Sequence, residues 1–270
     1  MKRIAFIGLV LVMTVLMLAG CSQPANSGAD TSWDDIKAQG YFILGLDDSF
    51  PPMGYRDDNN EIVGFDIDLA RECAKRMGIE VKLQPLVWDF IAEELNGKKV
   101  DVIWNGCTIT EKRKELFDFT KPYMNNEQVV VVLSGSSVQM LEDLAGLKLG
   151  IQGGSSVSIA LDDNAAVRDS LGELVEFSDN TKALMDLENG QLDAVALDVV
   201  VFGEYNSIKP GVFRRLDKAL GIEQFGIGIR KADQSFKAEL QKALDACMAD
   251  GTTQQIADKW LGTGAGALVK

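Results

Sequence analysis

The sequence predicts an α/β protein built as two similar lobes, and three observations carry that prediction. From Tyr41 onward, short apolar runs alternate with segments of helical period, the order that lays helices over a mostly parallel sheet. The same punctuation occurs twice. Leu95-Asn96-Gly97-Lys98-Lys99-Val100-Asp101-Val102-Ile103 and Leu187-Glu188-Asn189-Gly190-Gln191-Leu192-Asp193-Ala194-Val195 each read as a helix end, a capping glycine and an aspartate entering an apolar strand. The length of 270 residues, 46% hydrophobic and 25% charged, suits two medium globular domains.

The first twenty residues stand apart from that body. Lys2 and Arg3 precede a mostly apolar run from Ile4 to Leu18. That run is shorter than the roughly 20 residues a spanning helix needs and suits a secretory signal. Leu18-Ala19-Gly20-Cys21 resembles the lipobox of bacterial lipoproteins. The resemblance implies cleavage before Cys21, a diacylglycerol on its thiol, and anchorage to the extracytoplasmic side of the cell membrane. Ser22 to Ser32 is polar, carries Gly and Pro and lacks an apolar period, as a flexible tether does. The expected order is a signal peptide 1–20, a lipid-anchored linker 21–32, the folded body, and a C-terminal tail 263–270.

Within the body, Tyr41 to Leu46 is a short apolar strand. Ile67 to Met77 has helical spacing and stops at Gly78. Val81 to Leu86 is strand-like, Phe90 to Leu95 helical, and Val100 to Trp104 a buried strand. Leu147 to Ile151 opens the second half as a strand, followed by helical segments Ile159 to Leu171 and Thr181 to Glu188 and a strand Ala194 to Leu197.

Composition removes several kinds of chemistry. The chain has no histidine, so neither a Ser-His-Asp or Cys-His nucleophile nor a His-ligated zinc site is available. Its net charge is −13, and loss of the leader leaves 25 basic against 40 acidic side chains. Nucleic acid is excluded as a partner, because phosphate neutralisation needs a basic face. Cys73, Cys107 and Cys247 form no CxxC pair, and an odd count is no disulfide framework and no metal site. Cys73 shares an apolar helical face with Ile67, Ala70 and Met77, where a thiol acts as a small hydrophobe.

Ligands of open α/β sheets sit beyond the carboxyl ends of strands. After Leu46 come Asp47, Asp48, Ser49 and Phe50; after Trp104 come Asn105-Gly106-Cys107-Thr108 and a helix opening through Arg113. After Ile151 come Gln152-Gly153-Gly154-Ser155-Ser156, and after Leu197 comes Asp198. These are the groups a zwitterion needs. A carboxylate taken out of water wants a forked guanidinium and N–H donors, and an ammonium wants a carboxylate.

Val63-Gly64-Phe65-Asp66-Ile67-Asp68-Leu69-Ala70, the stretch Asp101 to Arg113, and Asp118-Phe119-Thr120-Lys121-Pro122-Tyr123 resemble the polar amino-acid-binding proteins of ABC importers, the type II periplasmic-type solute-binding proteins. The resemblance runs from about Trp33 to Gly262. It implies two α/β lobes joined by two crossing strands and closing like a flytrap, with lobe one at 33–125 plus 224–262 and lobe two at 126–223. It implies that Phe50 and Trp88 sandwich the ligand side chain and that Asp47 reaches its far end. Gly106, Thr108 and Arg113 then bind the carboxylate, Ser155 and Ser156 add N–H donors, and Asp198 accepts from the α-ammonium. Trp88 often has a Phe counterpart, Cys107 stands where an aliphatic residue is usual, and Gln152 replaces a Lys of some members.

The implied protein is a monomeric receptor that performs no chemistry, needs no cofactor and delivers a polar L-amino acid to an importer permease. An amino-acid-sensing module for a signalling partner and a secreted dehydratase on the same fold are the alternatives. Asp47 beside two aromatic walls favours arginine or lysine, ahead of glutamine, histidine or cystine.

Overall fold

The computed structural model describes residues 29–262 and 268–269. The expected signal peptide, Cys21 and residues 21–28 of the expected tether lie outside the described residues.

The first sheet draws its strands from both ends of the chain. Helix α1 (Ser32–Gln39) leads into β1 (Tyr41–Leu46), and β2 (Ser49–Phe50), β3 (Gly54–Arg56) and β4 (Ile62–Val63) form a small antiparallel sheet. Then follow α2 (Phe65–Met77), β5 (Glu80–Pro85), a 3-10 turn at Trp88–Phe90, α3 (Ile91–Asn96), β6 (Val102–Ile103), α4 (Glu111–Leu116) and β7 (Asp118–Phe119). The second sheet begins with β8 (Met124–Leu133) and β9 (Lys148–Gln152), then α5 (Val157–Asp163), α6 (Ala165–Ser170), β10 (Glu173–Phe177) and α7 (Asn180–Glu188). It ends with β11 (Ala194–Asp198), α8 (Val199–Ile208), β12 (Phe213–Arg215) and β13 (Gly221–Phe225). The chain returns to the first sheet as β14 (Gly228–Ile229) and finishes in α9 (Gln234–Ala249) and α10 (Thr252–Leu261). No described helix is long and apolar enough to cross a membrane.

The sheet orders are β5-β1-β6-β14-β7 and β10-β9-β11-β8-β12, with β13 also paired to β8. Both sheets are mixed, not mostly parallel as the alternation of elements suggests. β1 is parallel to β5 and β6, and β9 to β10 and β11, whereas β8 and β14 run antiparallel to every neighbour. The cause is the double passage between sheets, since strands that carry the chain across and back enter against the βαβ direction. β8 and β13 lie side by side, with Gln128 opposite Gly221 and Met124 opposite Phe225.

Burial explains the patterns read from the residues. Val129 to Val132 of β8 are all fully buried. Val129 and Val131 face the core that continues into the first lobe, while Val130 and Val132 face the one beneath α5 and α6. A strand covered on both faces loses its alternation and reads as an unbroken apolar run. β5 shows the opposite, an edge strand with alternate residues exposed, where the Lys82 ammonium lies 3.3 Å from the centre of the Tyr41 ring.

Two elements differ from the expected ones for local reasons. The helix expected from Ile159 to Leu171 is broken at Asn164, whose side-chain amide donates to the carbonyls of Ala160 and Leu220, each at 2.8 Å. Such side-chain bonds compete with the helical ladder. The strand expected from Val100 to Trp104 is regular only at Val102–Ile103. Just before it, the Asp101 carboxylate accepts from the Ile43 N–H at 2.9 Å, and Arg230 of the returning chain donates to the Val100 carbonyl and, at 2.9 Å, to the Asp101 carboxylate. The described residues at either end of the body are also held. Asp30 accepts from the N–H groups of Ser32 and Ser235, so the tether is tied to α9 before its expected end at residue 32. In the tail, the Val269 N–H donates to the Tyr123 carbonyl at 3.2 Å.

Candidate ligand-binding site

The carboxyl ends of β1, β6, β9 and β11 converge on a narrow cavity between the two sheets. Asp47, Phe50, Trp88, Gly106, Thr108, Arg113, Ser155, Ser156 and Asp198 all line it, together with Asn105 and Gln152. The space outside the atoms is about 270 Å³, its open mouth included.

Arg113 projects from the first turn of α4, where the Thr110 hydroxyl caps the helix by accepting from the Arg113 N–H at 3.1 Å. Its guanidinium is buried. It donates to the carbonyl of Thr108 and, across the cleft, to that of Gly154, both at 3.0 Å. The Trp88 ring centre lies 5.8 Å away, placing an aromatic wall beside the cation. The turn after β6 is built for close approach. Gly106 has φ +59°, and a Cβ there would stand 2.7 Å from the Phe50 ring. Both facts demand glycine.

That turn is held from beneath by Asp66 at the start of α2. Its fully buried carboxylate accepts from the Gly106 N–H at 2.7 Å, the Tyr123 hydroxyl at 3.0 Å and the Trp104 indole at 3.2 Å. Burial outweighs these three donors and raises the Asp66 pKa to about 7.

Asp198, at the end of β11, accepts from the side-chain amides of Asn126 at 2.7 Å and Gln128 at 2.8 Å. Burial first, and the facing Glu223 second, push its pKa well above the ordinary carboxylate value. Glu223 reaches in from β13 and accepts from Thr108 and Asn126 at 2.7 Å and from Gln128 at 2.9 Å. Two carboxylates thus face each other with a buried guanidinium nearby.

At the far end, Asp47 accepts from the Ser49 N–H at 2.9 Å and from the Gln152 amide of the other lobe at 2.7 Å. Burial raises its pKa to about 6 despite those bonds. Gln152 is itself oriented by Asn180, whose amide donates to its oxygen at 3.0 Å. Asp48 points away to an ion pair with Arg56 at 2.6 Å. The Ser155 hydroxyl and N–H both close the turn on the Gln152 carbonyl, at 2.7 and 3.3 Å. The Ser156 hydroxyl lies 3.1 Å from that of Thr108.

Glu223, Asn126, Gln128 and Asn105 take part without having been singled out from the sequence. Asn105 stands two positions past the end of β6, among the strand-end residues read from the sequence, but no role was assigned to it there. The other three lie on the crossing strands. There the only signal is an inverted alternation, with Ile222 84% exposed and Glu223 turned inward. Asn105 Nδ2, Asn126 Oδ1 and Gln128 Oε1 are buried without a protein partner, which leaves their hydrogen-bonding capacity unused beside the cavity. Among the described residues no group of three metal-ligating side chains is assembled.

Comparison with known proteins agrees with this architecture. The L-cystine-binding protein TcyJ of Escherichia coli (strain K12) is 28% identical over 254 residues, covering 93% of each chain. ABC transporter arginine-binding protein 1 of the same strain is 31% identical, covering 80% of this chain and 89% of its own. A substrate-binding protein of an ABC uptake transporter from Streptococcus pneumoniae, solved with bound histidine, superposes with TM-score 0.84 at 31% identity over 88% of this chain and 98% of its own. Residues 42–263 match the bacterial extracellular solute-binding proteins, family 3, and the chain belongs to that family.

Proposed function

We propose that the protein is an extracytoplasmic receptor that captures a polar L-amino acid between lobe one (33–125 plus 224–262) and lobe two (126–223) and delivers it to an ABC importer. The observation that carries this reading is a buried guanidinium, Arg113, and a buried carboxylate, Asp198, brought from opposite lobes to one cavity. Arg113, with Thr108 and the Gly106 turn, takes the α-carboxylate, and Ser155 and Ser156 close that end from the second lobe. Asp198 takes the α-ammonium, with Glu223 beside it. Phe50 and Trp88 flank the side chain. Asp47 meets its far end, and with Asp48 engaged by Arg56 it is the acidic selector there.

A carboxylate between aromatic walls favours a guanidinium or ammonium side chain, so arginine or lysine is the proposed ligand. The names of the relatives, which bind cystine and arginine, support the broader class. Cys21 carries the lipid that holds the receptor at the membrane, and the protein acts as a monomer without catalysis.

Thermal denaturation against the twenty amino acids tests the reading. A ligand at 100 times its dissociation constant stabilises by about 2.7 kcal/mol. Arginine or lysine is expected to give the largest rise in Tm. No response to any amino acid would remove the receptor reading. A strong response to glutamine with none to arginine would remove the cationic choice alone.

A further inference from the structure

Cys73 on α2 and Cys247 on α9 are both fully buried, and their sulfurs lie 3.9 Å apart. The two helices pack against each other and bury matching apolar faces, Leu69, Ala70 and Cys73 from one and Leu240, Leu244 and Cys247 from the other. Cys107 belongs to a separate cluster with Phe117 and Phe119, so among the described residues neither thiol has a competing sulfur partner. The family to which the chain belongs is extracellular, and thiols outside the cytoplasm meet oxidants.

We propose that Cys73 and Cys247 form a disulfide in the mature protein. The bridge would tie α2 to α9 and so join covalently the two separate chain segments that build the first lobe. Bonding requires the sulfurs to close from 3.9 Å to about 2.05 Å. The co-reactant is a protein or small-molecule disulfide.

Before α9 docks, the thiolate of either cysteine attacks one sulfur of the oxidant, forming a mixed disulfide and releasing the other oxidant sulfur as a thiolate. That thiolate takes the proton of the second cysteine, whose sulfur then displaces the remaining oxidant sulfur from the mixed disulfide. One protein S–S bond forms, the oxidant disulfide becomes a dithiol, and the two protein thiol protons end on it. Both sulfurs are inaccessible once α9 has docked, so the exchange belongs to folding, and the finished bridge is shielded from reductants.

The test uses mature protein exported by its own signal or refolded in a glutathione redox mixture, compared with fully reduced protein. Free thiols are alkylated under denaturing conditions and the peptides mapped by mass spectrometry. The expected result is a linked Cys73–Cys247 peptide in the oxidised sample only, and a Tm that falls by roughly 5–15 °C on reduction, because the bridge closes a long loop. Cys73→Ser and Cys247→Ser should each abolish the linked peptide, and Cys107→Ser should retain it. Recovery of Cys73 and Cys247 as separately alkylated peptides from the oxidised sample, or linked to Cys107, overturns the proposal. Either outcome leaves the amino-acid-receptor reading untouched, since ligand binding is read independently.

Discussion

At the scale of single residues, recognition in the proposed site is divided between Arg113 and Trp88. Every α-amino acid carries the carboxylate assigned to Arg113, so Arg113→Ala should weaken all ligands alike by at least 100-fold, read by titration calorimetry. Trp88→Ala removes the wall proposed for the ligand side chain and should reorder the ligands instead. Equal losses for both variants across all ligands would contradict this division. Asp47 adds a pH dependence of definite sign. Its pKa in the ligand-free fold is raised to about 6, while a cationic ligand needs it ionised. Arginine affinity should therefore rise between pH 5 and pH 7, and Asp47→Asn should flatten the part of that rise absent from neutral ligands. In the free protein the raised value works the other way. The stability it contributes is fully present below its unfolded pKa near 4 and is lost as pH rises through 6. The sequence pointed to Asp47 and Asp198 because each stands at the carboxyl end of a buried strand, and to Arg113 because the turn after β6 opens the helix that carries it. Glu223 was not legible, because it points inward from a strand whose neighbouring Ile222 points to solvent.

At the scale of elements, the turn after β6 is where backbone conformation and recognition coincide. A side chain at Gly106 would need both a left-handed backbone and the room occupied by Phe50. Gly106→Ala should cost about 1–3 kcal/mol in chemical denaturation and lower affinity for every amino acid. Wild-type affinity and stability would show that the turn relaxes freely. The strands and helices around this turn were legible wherever one period dominated, as in α2 with its apolar face and its stop at Gly78. They were misjudged where a distant residue intervened. Arg230, 129 positions along the chain, holds Asp101 at the start of β6, and Asn164 divides a helix by bonding to Leu220. The mixed sheets have the same origin, for no local pattern announces that β14 inserts between β6 and β7.

At the scale of the whole molecule, the lobes meet through polar contacts that a ligand would join. Arg113 reaches Gly154, Gln152 reaches Asp47, and Thr108 meets Ser156 across the cleft. Gly153 and Gly154 pack so closely on Asp89 that a Cβ on Gly154 would lie 2.8 Å from its Cα. A ligand held by donors from both lobes favours this arrangement through contacts absent when they part. Small-angle scattering should show the radius of gyration falling on saturation with ligand, and an unchanged radius would mean a static pocket. The first sheet's dependence on both chain ends also sets an order of assembly. Synthesis runs from the N-terminus, so β1, β5 and β6 emerge with the edge of β6 that β14 will cover still bare. All strands of the second sheet follow before β14 and α9 arrive. The half of the molecule that starts first is therefore completed last, and throughout that interval the newborn chain carries an open strand edge available to chaperones and to neighbouring nascent chains.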